Sequence, residues 1–218
     1  MIALPLILPL AAAGVLLLVK KENRTLIRAL AVGSTGLAFT LALLLWLRYD
    51  ASRGGLQFEV NLPWVPSLGI RYHAGLDGVS AVMILLHGLV SFSAVLVSAS
   101  IRERVKEYHI FLLILIASIY GVFTSFDLFF LYFFYEMAVI PMYPLIGMWG
   151  SRNKEYASMK LTLYITAGAV LSHPNTEVDV VEISPEVAEA ASFFSVYNRD
   201  ALKNPRLHLI IDDAKNYL

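Results

Sequence analysis

Five apolar stretches, each near the length of a bilayer crossing, fill the first 150 residues and set what this chain can fold into. A hydrocarbon core of about 30 Å needs roughly 20 mostly apolar residues per helix. Residues 2–19, 26–47, 79–99, 109–126 and 128–149 meet or approach that length, and a sixth run begins near Tyr156 and stops at Leu171. Segments such as FLLILIASIYGVF are apolar on every face, which fits a helix among lipid and other helices rather than one facing water. The reading is an all-α polytopic membrane bundle: five full transmembrane helices plus a truncated sixth. The first run has no basic start, and its cations Lys20, Lys21 and Arg24 follow it, so it reads as a retained helix and not a cleaved signal. The chain has no Cys, which excludes a disulfide scaffold and thiolate chemistry.

Charge divides the chain. Residues 1–171 carry 13 basic and 9 acidic side chains, and residues 172–218 carry 4 and 8, so a net charge of zero conceals +4 and −4. Within the first part, nine cations lie in the connections after the first, third and fifth runs, against Arg48, Arg53 and Arg71 in the long loop on the other side. By the positive-inside rule the odd-numbered connections are cytoplasmic and the N-terminus is outside, in a bacterial-type inner membrane.

Glu136 is the leading candidate for chemistry. It lies nine residues beyond Asp127, which is placed to cap the fifth helix, so it sits about 13.5 Å along that helix and near mid-membrane. A carboxylate at that depth is costly and usually faces a bundle interior, where it carries function. Pro141 and Pro144 follow, leaving the carbonyls of Met137 and Ile140 without helical donors. Free carbonyls beside an acid favour bound water, which a proton relay needs. The alternative is a neutral Glu that ties helices together by a hydrogen bond. Lys160, one turn into the sixth run, either snorkels to the membrane edge or faces inward as a relay group. His87 reads as a hydrogen-bonded packing residue. No protein metal site is supported, since HExxH, CxxC and His-rich clusters are absent from the sequence. The loop LPWVPSLGIRYHAGLDGVS reads as an ordinary interfacial loop, with Trp64 and Tyr72 at the membrane surface and Asp77-Gly78 leading into the third helix.

WVPSLGIRYHAGLDGVS, FDLFFLYFFYEMAVIPMYPLIGMWG and ASMKLTLYITAG together resemble the chain-M group of antiporter-like subunits of the proton-pumping NADH:quinone oxidoreductase, respiratory complex I. The resemblance covers about residues 1–170. It implies a proton-translocating membrane subunit that holds neither flavin nor iron–sulfur cluster, while NADH and quinone are used elsewhere in the parent complex. Partners would be other membrane-arm subunits and the lipid bilayer, with no nucleic acid. Glu136 matches the family's helix-5 glutamate, which pairs with a lysine on helix 7. That helix is not in this sequence, so the chain reads as an N-terminal fragment, inactive alone.

Residues 172–218 read differently. VDVVEI and RLHLIIDD are short apolar runs ending in acids, as in buried parallel strands, and SPEVAEAASFF between them has the capping pattern of a helix. This portion resembles a piece of the spermidine-synthase-like group of class I methyltransferase folds, an incomplete Rossmann-like α/β fragment. The resemblance implies that Glu182 matches the acid on the ribose hydroxyls of an adenosyl ligand and Asp213 the acid near the adenine. The glycine-rich turn that should precede these strands is replaced by a membrane run, so neither position is expected to function. The two parts read as a fusion of gene fragments with its seam at 166–172. The competing readings are a membrane-tethered spermidine-synthase-like or S-adenosylmethionine-dependent transferase, and a non-catalytic membrane assembly module.

Overall fold

A computed structural model describes residues 2–150, Lys154, Ala157, 178–182 and 205–211. The chain divides into two compact units, Met1–Lys154 and Glu155–Leu218.

The first unit is built on five helices: α1 (Leu4–Leu18), α2 (Arg24–Leu47), α3 (Gly78–Val97), α4 (Val105–Thr124) and α5 (Leu128–Trp149). Four of them, α2 to α5, are long and apolar enough to cross a membrane. The first helix is shorter than the apolar run 2–19 suggested: α1 has 15 residues, about 22 Å of rise. Its last turn is held in place, because Lys106 Nζ donates to the carbonyl oxygens of Leu17 (2.9 Å) and Val19 (2.8 Å). Pro5 stands in the first turn of α1, where a missing N–H costs nothing. The start of α4 also differs from the expectation at residue 109. Lys106, Glu107 and Tyr108 are polar, yet they form its first turn.

Helix α4 is the central element and packs against α1 and α5, with lighter contact to α2 and α3. The buried residues of α2 include Ala31, Thr35, Ala38 and Ala42, spaced three and four apart, so small side chains line one face and let the neighbouring helices approach closely. Leu16, Ile27, Leu45, Ile84, Leu113 and Tyr120 fill the core between the helices. The outer faces carry Leu37, Trp46, Val82, Leu86 and Val90 in the open, a surface suited to lipid and not to water.

The loop between α2 and α3, read from the sequence as an ordinary interfacial loop, has regular structure. It forms an antiparallel hairpin of β1 (Gln57–Val65) and β2 (Ile70–Leu76), with Asn61 opposite His73 and Leu62 opposite Tyr72. The cause is local: apolar and polar residues alternate along both segments, and Pro66–Leu68 forms a tight helical turn closed by Gly69 at φ +70°, a left-handed conformation that suits glycine. The register shifts between Gln57 and Val60, where Phe58 also takes a positive φ of 54°. Glu59 Oε1 and His73 Nε2 lie 2.8 Å apart across the pair, and the Nε of Arg71 donates to Asn61 at 2.8 Å. The hairpin docks on the α4–α5 turn. Phe126 N donates to the His73 carbonyl at 2.8 Å, and the rings of Trp64 and Tyr72 meet Phe130 edge-on, with centroids 6.0 and 5.1 Å away.

In the second unit, β3 (Val178–Glu182) and β4 (Leu207–Ile211) pair in parallel, with Val178 opposite Leu207 and Glu182 opposite Ile211. The expected sixth membrane helix with Lys160, the helix over SPEVAEAASFF, and Asp213 lie outside the described residues.

Candidate functional site

Helix α5 begins on a built cap. Asp127 is extended, and its Oδ1 accepts from the amides of Phe129 (2.9 Å) and Phe130 (3.3 Å), satisfying two donors of the first turn. The helix then runs unbroken through Pro141 and Pro144 to Trp149. Each proline removes one N–H, so the carbonyls of Met137, next to Glu136, and Ile140, about one turn beyond it, lose their helical donors. At the far end, Trp149 Nε1 donates to the Glu103 carbonyl at 2.9 Å and its ring meets Tyr108, which fixes α5 to the start of α4.

Two faces of α5 have opposite character. Phe134, Ala138, Val139 and Pro141 are buried, and the ring of Phe134 fills the space beside Gly121 on α4. Phe129, Phe133, Glu136, Ile140 and Tyr143 are exposed. Their spacing of four, three, four and three residues makes one continuous stripe on the side away from α4. Glu136 is the single carboxylate in that stripe, midway along the helix. It is therefore not enclosed by α1 to α4, and among the described residues no Lys or Arg pairs with it.

Two histidines form polar contacts between helices. His87 Nε2 on α3 lies 3.0 Å from the Ile116 carbonyl of α4, its ring stands edge-on to Tyr120 at 4.5 Å, and Ser91, one turn along, lies 3.3 Å from the ring nitrogens. The ring is a bonded packing group. His109, which sequence reasoning passed over, is fully buried at the start of α4, with Nδ1 2.7 Å from the Val105 carbonyl and Nε2 3.2 Å from Ser98 Oγ. Nearby, Arg28 Nη2 donates to the Ile101 carbonyl at 2.9 Å. The signal for this cluster was present as three polar residues at the edges of otherwise apolar runs. Of the other residues singled out from sequence, Lys160 and Asp213 lie outside the described residues, and Glu182 is the last residue of β3 in the second unit.

Residues 125–171, which begin at the α4–α5 turn and take in all of α5 with Glu136, match the family described as NADH:quinone oxidoreductase/Mrp antiporter, TM. The helical part of the chain is similar in sequence and in structure to antiporter-like membrane subunits of respiratory complex I. Among individual proteins, it is 36% identical over 173 residues to NADH-ubiquinone oxidoreductase chain 4 of Chondrus crispus, covering 77% of this chain and 35% of the relative. It is 34% identical over 168 residues to NADH-quinone oxidoreductase subunit M of Rhodobacter capsulatus, covering 75% and 32%. In three dimensions it is similar to a chain of the respiratory complex I from Thermus thermophilus with bound NADH, with a TM-score of 0.67 and 29% identity over 78% of this chain and 34% of that one. The chain thus spans about a third of the length of the relatives it matches.

Proposed function

We propose that residues 1–171 are the N-terminal part of a proton-translocating membrane subunit of an NADH:quinone oxidoreductase, with Glu136 as a proton-relay residue. The observation that carries this is the placement of Glu136: one carboxylate in the middle of a membrane-length helix, in an apolar stripe that α1 to α4 leave uncovered. A carboxyl at that depth is cheap to keep as the neutral acid and costly as the carboxylate unless a cation approaches. A further helix that covers the stripe and brings a cation up to Glu136 would release its proton. Withdrawal of that cation would make the site take one up again. Lys160 is a candidate for a second relay group on the same reading. NADH and quinone belong to the parent complex, and the partners are its other membrane-arm subunits. On the distribution of cations, the N-terminus is outside in an inner-membrane setting. Since the chain has no Cys, single cysteines can report orientation: an impermeant thiol reagent should label position 57 from outside and not position 104.

The function is tested by grafting residues 1–150 in place of the matching part of a full-length subunit M. An assembled complex carrying the graft should support NADH-driven proton uptake into inverted vesicles. Quinone reduction without proton uptake would count against the proposal.

A second reading concerns residues 172–218, and the parallel pairing of β3 with β4 favours it. Parallel strands with an acid at the end of β3 are what an incomplete piece of a spermidine-synthase-like fold would contain. Glu182 and Asp213 without a glycine-rich turn do not make an adenosyl site, because that turn gives the backbone its close approach to the ligand. The reading is therefore a non-binding fragment joined at 166–172. Calorimetry of the full chain with S-adenosylmethionine should show no saturable heat. Micromolar binding abolished by Asp213→Ala would reverse the reading. A transcript that fails to run continuously through the codons for 166–172 would show the join to be an artefact.

A further inference from the structure

The α1–α2 and α3–α4 connections meet at one end of the bundle, and between them lies a cleft of about 480 Å³. Four cations line it, Lys21 and Arg24 from one connection and Arg104 and Lys106 from the other, against the two carboxylates Glu22 and Glu107. Neither acid forms an ion pair with these cations among the described residues. Lys106 is partly committed to the α1 carbonyls, which fixes its charge at the edge of the cleft. Arg104 stands in the left-handed region at φ 46° and no side chain caps α4, so the amides of its first turn open toward the same end of the bundle. The cleft therefore favours an anion, and the cations that form it come from segments some 80 residues apart.

Its depth says what kind of anion. Helix α1 ends here, and α2 and α4 begin here, so the cleft lies where the spans leave the apolar zone. In the last turn of α1, Leu17 and Leu18 are 64% and 88% exposed, and Leu26 is open in the first turn of α2. A soluble phosphate has no use for that apolar border, whereas a lipid places its headgroup and its acyl chains at these two levels together. At the other end of the unit, Arg53 and Arg71 are spread over the long α2–α3 connection.

We propose that this cleft binds the phosphodiester headgroup of an anionic phospholipid, with the acyl chains lying along Leu17 and Leu18. The lipid would bridge the two connections and complete the seat of α1, the shortest helix of the bundle.

The test uses the full chain in detergent micelles doped with phosphatidylglycerol or phosphatidylcholine, with bound lipid read by native mass spectrometry. Phosphatidylglycerol should be retained at least tenfold over phosphatidylcholine. The double variant Lys21→Gln/Arg24→Gln should lose most of that preference, and Arg104→Gln, made separately, should lose about fivefold, the scale of one interfacial charge. Arg53→Gln should keep it. Inorganic phosphate at millimolar concentration should not displace the lipid. Equal retention of the two lipids, an unchanged preference in the Arg104→Gln chain, equal loss in the Arg53→Gln chain, or displacement by phosphate would each overturn the proposal.

Discussion

Asp127 Oδ2 accepts the backbone N–H of Arg71 at 3.3 Å, while Oδ1 of the same carboxylate caps α5. One side chain thus ties the β1–β2 hairpin to the start of the helix that carries Glu136. The second tie is the Phe126–His73 backbone bond next to it. The hairpin is in effect a clamp on the entry to α5.

Asp127→Ala should therefore act twice. Loss of the cap costs about 1 kcal/mol, and the amides of Arg71, Phe129 and Phe130 should exchange faster in deuterated buffer. Asp127→Asn keeps an acceptor and should lose less. Unchanged exchange at Arg71 in the Asp127→Ala chain would show that the hairpin does not depend on this carboxylate.

A parallel cap starts α3, where Asp77 Oδ1 accepts the Ser80 amide at 2.7 Å. Hydrogen bonds from the Ser80 amide first, and then its hydroxyl, hold the Asp77 carboxyl below its ordinary value of 3.8. The carboxylate is thus favoured by folding. Its contribution is fully present above the unfolded value and is lost as pH falls through the lower folded one. In acid titration followed by circular dichroism, the native chain should lose stability below about pH 4, and Asp77→Asn should flatten that limb. Identical acid limbs would remove Asp77 from the balance.

The packing of α4 on α5 depends on Gly121. A Cβ there would run into the ring of Phe134, whereas a Cβ at Gly14 meets nothing within 4 Å. Gly121→Val should destabilise the bundle by about 1–3 kcal/mol, as overpacking does. Phe134→Leu in that background should recover part of the loss, and Gly14→Ala should be close to neutral. Denaturant melting in micelles measures all three, and a Gly121→Val chain as stable as the native one would contradict the close approach.

Much of α5 could be read from the sequence: the Asp127 cap, the length of the apolar run and the place of Glu136 along it follow from residue spacing alone. Which way Glu136 faces did not. A helix that is apolar all round carries no periodic signal, so only the neighbours reveal that Phe134 turns inward and Phe133 outward. The hairpin was legible in principle, since Phe58, Val60 and Leu62 alternate with Glu59 and Asn61, and Ile70, Tyr72 and Ala74 with Arg71 and His73. Pro63 interrupts the first run, since proline has no N–H to give to a strand pair. The 15-residue length of α1 was hidden because Ile2, Ala3 and Val19, which flank the helix, are as apolar as the residues within it, and the helix ends where Lys106 takes the carbonyls of Leu17 and Val19. The parallel strands β3 and β4 were legible as short apolar runs, VDVVE and LHLII, each followed by or ending in acids.

The most direct test of the account is proton uptake per quinone reduced in inverted vesicles, for a full-length subunit M carrying residues 1–150 of this chain, with Glu136 or with Glu136→Gln. The amide is close in size and shape and still forms hydrogen bonds, but it cannot release a proton. Assembly and folding should be unchanged while proton uptake falls severalfold, and Glu136→Asp should restore part of it. Full proton uptake by the Glu136→Gln complex would contradict the relay and leave Glu136 as a hydrogen bond between helices.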